Sequence, residues 1–120
     1  MKEILAVDDQ VEILDLLTFF LSESYKIYPA KTIPRAFALL RQNKFDLILL
    51  DIMMPGMNGI EFLAFLKSQP FYEKTPIVFV SSESDSDIIR QAAELGANGF
   101  IKKPIEKDVL LKKVVAIIGR

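Results

Sequence analysis

The chain has no cysteine and no histidine among its 120 residues. Without cysteine, disulfides, thiolate catalysis and cysteine metal centres are all excluded. Without histidine, the commonest general base and the commonest transition-metal ligand are gone, so any bound metal must be held by oxygen. An excess of charge of one sign is also missing. Fifteen Lys and Arg face sixteen Asp and Glu, a formal net charge of −1, which argues against nucleic acid or an anionic membrane as a direct partner. Nor is there a long hydrophobic run at the start. The N-terminal MKEILAVDDQ has a short apolar run broken by acids and is neither a signal peptide nor a membrane span. The expectation is a cytoplasmic protein.

What remains is the make-up of one globular domain covering residues 1–120. Hydrophobic residues make up 51% and charged residues 26%, enough apolar mass for a core and well outside the disordered class. The apolar pattern switches period repeatedly along the chain. Short runs at 3–7, 26–29, 47–50, 77–80 and 99–101 read as buried strands. Segments with helical spacing fill 11–23, 33–42, 59–68, 85–95 and 106–118. Five strands alternating with five helices imply an α/β fold, a doubly wound parallel sheet with helices on both faces. Local punctuation agrees: Thr32 precedes Pro34, Ser84 or Asp85 suits the start of the fourth helix, and Gly96 its end.

The polar residues collect at one edge of this frame. The oily stretch LILLDIMMPGMNGIEF finishes its strand on Asp51 and turns through Pro55, Gly56 and Gly59. Asp8 and Asp9 follow the first strand, Ser81 and Ser82 the fourth, and Lys103 the fifth. All lie at carboxyl ends, where open doubly wound sheets form their ligand crevice; for strand order 2-1-3-4-5 that crevice opens between strands one and three. Neighbouring strands are about 4.8 Å apart, so the three acids should converge. At roughly 5 Å and an effective dielectric near 20, each pair repels by about 3 kcal/mol. A divalent cation removes the conflict, and an all-oxygen set with few ligands suits Mg²⁺ better than Ca²⁺, for which no EF-hand loop is present. Taken alone, Asp8-Asp9 also reads as a helix N-cap with a dipole-stabilising neighbour. It is the combination with Asp51 and Lys103 that points to a site.

The stretches AVDDQ, LILLDIMMPGMNGIEFL, TPIVFVSS and ELGANGFIKKPI occur in this order across essentially the whole chain. Together they resemble the receiver domain of two-component response regulators, similar to the single-domain chemotaxis and sporulation regulators. The resemblance implies a flavodoxin-like fold with sheet order 2-1-3-4-5. It implies that Asp51 is the phosphoacceptor and that Asp8 and Asp9 hold Mg²⁺ with Asp51 and the main-chain carbonyl of Met53. It further implies that Lys103 contacts the phosphoryl group, that Ser81 is the switch hydroxyl and that Phe100 is the switch aromatic. A cis Lys103-Pro104 peptide is expected on the same ground. Strand alternation separates the neighbouring lysines, leaving Lys102 as a solvated neighbour. By themselves, the commoner fate of Ser81 is a strand-ending hydroxyl bonded to local backbone, and that of Phe100 is plain core.

With no histidine in the chain, the phosphoryl group must come from another molecule, a sensor histidine kinase or a histidine phosphotransfer protein. On the helix 11–23, Val11, Leu14, Leu17 and Leu21 form a core-facing set, and Ile13, Leu16 and Phe20 a second apolar stripe. The stripe reads either as a helix sunk deeply between its neighbours or as a docking face, with Ile13 and Leu16 the expected docking residues for the donor's helical bundle. Output to an effector or a second receiver is expected through the face of the fourth helix, fifth strand and fifth helix. Met53 and Glu83 occupy positions that vary among receivers and tune the lifetime of the acyl phosphate. The end at Gly119-Arg120 suits both a single-domain regulator and a receiver within a longer kinase or transcription factor.

Two other classes compete. A haloacid-dehalogenase-type phosphatase also uses an aspartyl nucleophile and Mg²⁺, but normally carries a second aspartate two residues later, where this chain has Met53. A degenerate receiver acting only as an interaction module would not need the complete acidic set and Lys103. The reading is therefore a signalling phosphoacceptor rather than an enzyme acting on other substrates.

Overall fold

The computed structural model describes every residue except Pro55, Met57, Glu83 and Asp85. The turn at Pro55, the Asp85 cap and the role of Glu83 therefore lie outside the described residues. The elements run β1 (Glu3–Val7), α1 (Val11–Leu21), β2 (Lys26–Ala30), α2 (Ile33–Gln42), β3 (Leu47–Leu50), α3 (Gly59–Ser68), β4 (Ile77–Ser81), α4 (Ser86–Glu94), β5 (Gly99–Lys102) and α5 (Lys107–Ile118). All neighbouring strands pair in parallel, in the order β2-β1-β3-β4-β5.

Alternation along the strands divides the core in two. Leu5, Val7, Ile48, Leu50 and Phe79 pack with α2, α3 and α4, while Ile4, Ala6, Leu49, Val78, Val80 and Ile101 pack with α1 and α5. Because both faces are covered, the interiors of the central strands are apolar, and all four residues of β3 are buried. The starts of α2 and α3 are set by polar side chains. Thr32 accepts from the Arg35 amide to begin α2, and Asn58 from the Glu61 amide to begin α3. Gly96, at φ +105°, ends α4 with its amide donating to Ala93 and that of Ala97 to Ala92.

Several expectations are corrected. α1 stops at Leu21 rather than 23, closed by the Ser22 amide bonding to Thr18. β2, β4 and β5 each run one residue further than their apolar runs, because the register pairs Val7 with Ala30 and Ser81 with Lys102. α4 is shorter than expected at its C-terminal end, and α5 begins at Lys107 with Glu106 as its N-cap. Val11 is not part of the core-facing stripe: it is 41% exposed, while Leu14, Leu17 and Leu21 are buried.

Candidate functional site

The parallel ladder continues one step past the strand ends at the places that matter. The Asp8 amide donates to Ala30, the Asp51 amide to Val7 and the Lys103 amide to Ser81, each at 3.0 Å. Asp8, Asp51 and Lys103 are thus mounted on backbone held by the sheet rather than on a free loop. The mount for Asp51 is tightened from below. A Cβ on Gly59 would meet the Asp51 carbonyl oxygen and the Ile52 Cα, and the Gly59 amide donates to Ile52 at 2.6 Å. Gly56, by contrast, has the turn conformation, at φ +84°.

Carboxylate oxygens of Asp8, Asp9 and Asp51 all lie within 4.8 Å of one another. Asp8 and Asp51 are buried and Asp9 is exposed at the mouth. Lys103 reaches in from the other side. Its Nζ is 2.8 Å from Asp8 Oδ2 and 3.4 Å from Asp51 Oδ2. The contact with Asp51 also meets hydrogen-bond geometry, whereas that with the buried Asp8 Oδ2 is an ion pair. The other Asp8 oxygen accepts from the Gln10 amide, and Asp51 Oδ1 accepts from the Met53 amide at 3.3 Å. Burial raises the Asp8 carboxyl above the ordinary carboxylate range. Lys103 and the Gln10 amide partly offset this, and the charge on Asp51 adds to it.

The donor set fits a small hard dication: three carboxylates, one of them with a buried oxygen lacking a hydrogen bond. A single lysine cannot neutralise three acids.

The other expected residues are placed as follows. Ser81 is buried at the end of β4, beside Lys102 in register. Phe100 is half-buried on β5 against the α4 side of the core, next to a cavity of about 120 Å³ bordered by Ile89, Ala92 and Ala93. Met53 is 60% exposed at the rim. Lys102 is exposed, and the Lys103-Pro104 peptide is cis. Ile13, Leu16 and Phe20 are half-buried against the α1–α5 side of the core and do not form a bare stripe; the exposed aromatic of α1 is Phe19, at 77%. The N-cap of α1 is Gln10, not Asp8 or Asp9, and it makes no side-chain capping bond. Sequence reasoning gave Gln10 no role, yet its Oε1 accepts from Lys103 Nζ at 2.8 Å.

Residues 4–115 match the model of the response regulator receiver domain. The chain is 33% identical over 120 residues to the phosphate regulon transcriptional regulatory protein PhoB of Pseudomonas aeruginosa, covering 99% of this chain and 52% of that one. It is 36% identical over 121 residues to the response regulator GtcR of Aneurinibacillus migulanus, covering 99% and 48%. It thus spans about half the length of these relatives. Among solved structures, the Vibrio cholerae chemotaxis protein CheY4 superposes with a TM-score of 0.91 at 30% identity, over 98% of each chain. Among the described residues, no helix is long and apolar enough to cross a membrane.

Proposed function

The chain belongs to the response regulator receiver family, signalling modules of two-component systems, and on that premise we propose that Asp51 accepts a phosphoryl group from a phosphohistidine donor in an Mg²⁺-dependent reaction. The observation that carries this reading is the convergence of Asp8, Asp9 and Asp51 around one mouth with Lys103 beside them. Asp8, Asp9 and Asp51, with the main-chain carbonyl of Met53, would hold the metal. When bound, Mg²⁺ supplies neutralisation of the phosphoryl oxygens.

The chain's own groups do the rest. One Asp51 carboxylate oxygen attacks phosphorus; the O–P bond forms as the donor's N–P bond breaks, and the electron pair leaves with the imidazole nitrogen. A carboxylate is a modest nucleophile, so its fixed position contributes much of the rate. Lys103 places a positive charge where the transferred oxygens gather. Hydrolysis returns the carboxylate, with water as the attacking group and phosphate leaving.

For output, the Ser81 hydroxyl donates to a phosphoryl oxygen and draws the end of β4 inward, and Phe100 moves into the space beside α4. The cavity next to Phe100 supports that movement. The face of α4, β5 and α5, with Val109 exposed on it, then meets an effector or a second receiver. Ile13 and Leu16 take part in docking the kinase or phosphotransfer bundle.

The reading is tested with beryllofluoride, a phosphoryl mimic. The protein should bind it only with Mg²⁺, and Asp51→Asn should abolish binding. Mg²⁺-independent binding, or binding retained in Asp51→Asn, contradicts it. Ile13→Ala with Leu16→Ala should slow transfer from a kinase while leaving labelling by a small phosphodonor intact; equal loss of both refutes the docking role.

A further inference from the structure

Gln10 stands at the entrance to α1 with extended backbone and a side chain that does not cap the helix. Its Oε1 instead accepts a 2.8 Å hydrogen bond from Lys103 Nζ, 93 residues away in sequence. The ammonium therefore has three oxygens around it, from Gln10, Asp51 and Asp8, at 2.8, 3.4 and 2.8 Å. Only Gln10's is neutral. Gln10 thus holds the ammonium at the 2.8 Å ion-pair contact with Asp8, farther from Asp51.

We propose that Gln10 is a positioning residue that parks Lys103 at the α1 side of the acidic mouth, where the ammonium competes with a divalent cation for Asp8. The inference rests on the Mg²⁺-dependent reading above. An ammonium against Asp8 is already a cation inside the cluster, and a metal engaging that carboxylate has to displace or outweigh it. Any bond made only in the parked state stabilises the form that binds metal less well, and metal affinity falls by that margin. A neutral amide suits the role, because it holds the ammonium without adding a fourth negative charge to the mouth. The device sets the resting domain against premature metal binding and releases Lys103 for the phosphoryl group once metal has entered.

The test is Mg²⁺ titration by calorimetry on wild type, Gln10→Leu, Gln10→Asn, Lys103→Met and the Gln10→Leu/Lys103→Met double variant. Leucine has no acceptor, and asparagine is one methylene too short to keep the contact. Both Gln10 variants should bind Mg²⁺ about three- to tenfold more tightly than wild type, the range of the ordinary net contribution of one hydrogen bond. In the Lys103→Met background, Gln10→Leu should change nothing. Unchanged or weaker binding in the single variants overturns the proposal, as does an equal change in both backgrounds, which would mark a purely local effect. Wild-type protein that binds no Mg²⁺ removes the underlying reading and this inference together. Wild-type binding with silent Gln10 variants overturns this inference alone. Gln10 is exposed and caps nothing through its side chain, so its substitution should lower stability in EDTA only by the margin by which Mg²⁺ affinity rises, and the comparison is made on folded protein.

Discussion

Lys103 Nζ lies 3.4 Å from Asp51 Oδ2 although the residues are 52 positions apart. The end of β3 carries the acid and the end of β5 the base, with β4 between them. The pair is buried on both sides, with side-chain exposures of 10% and 7%. Removing one partner of such a pair costs more than the pair itself contributes, because the other is left charged and poorly solvated. Lys103→Met should therefore lower the stability of the metal-free domain by about 3 kcal/mol. Urea denaturation in EDTA measures this, and added Mg²⁺ should recover most of the loss.

Asp8→Asn should have the opposite sign. In EDTA at neutral pH the amide replaces a buried charge repelled by Asp51, so the midpoint of thermal melting should rise, and stabilisation by Mg²⁺ should be lost. The pH dependence follows from the raised Asp8 pKa, whose main cause is burial. A carboxyl that holds its proton more tightly when folded than when unfolded stabilises the fold fully below the unfolded value of 3.8, and that contribution is lost as pH rises through the folded value. The advantage of Asp8→Asn over wild type should shrink as the solution is acidified. A difference that widens on acidification would contradict the burial account.

Gly59→Ala tests the mount beneath Asp51. The added methyl would fall on the Asp51 carbonyl oxygen and within 2.7 Å of the Ile52 Cα, both backbone atoms that side-chain motion cannot clear. The variant should lose about 3 kcal/mol by denaturant melting, with weaker Mg²⁺ binding in whatever remains folded. Gly56→Ala has open space around it but a positive φ, so its smaller loss, about 1 kcal/mol, is conformational.

Ser81→Ala separates metal binding from switching. Mg²⁺ affinity should be retained, beryllofluoride affinity should fall roughly tenfold for one lost hydrogen bond to a charged group, and the ligand-induced change in the Phe100 ring resonances should vanish. Full Phe100 response in Ser81→Ala would assign the switch to another group.

The sheet was readable because burial on both faces leaves no polar residue inside β1 or β3 after Glu3, so the strand-ending Asp8 and Asp51 stand out as departures from an apolar run. Helix ends were less readable. Val11 has the spacing of the core stripe, yet it sits in the first turn of α1 and stays 41% exposed. Phe19 shows the reverse: an aromatic suggests core, but it lies off the stripe made by Leu14, Leu17 and Leu21. Gly59 was visible as punctuation, but its reason, close approach to the β3 end rather than turn geometry, depends on packing across the sheet. Gln10 was invisible altogether, because its partner Lys103 arrives from the far end of the chain and no local pattern announces the contact.

The central claim, that one aspartate takes the phosphoryl group with help from a metal held by its neighbours, is tested most directly by intact-protein mass spectrometry after incubation with acetyl phosphate. With Mg²⁺ present, a single phosphoryl adduct should appear, map by peptide analysis to Asp51 and disappear in Asp51→Asn; in EDTA it should be absent. No adduct in Mg²⁺, or an adduct mapping to another residue, would contradict the account.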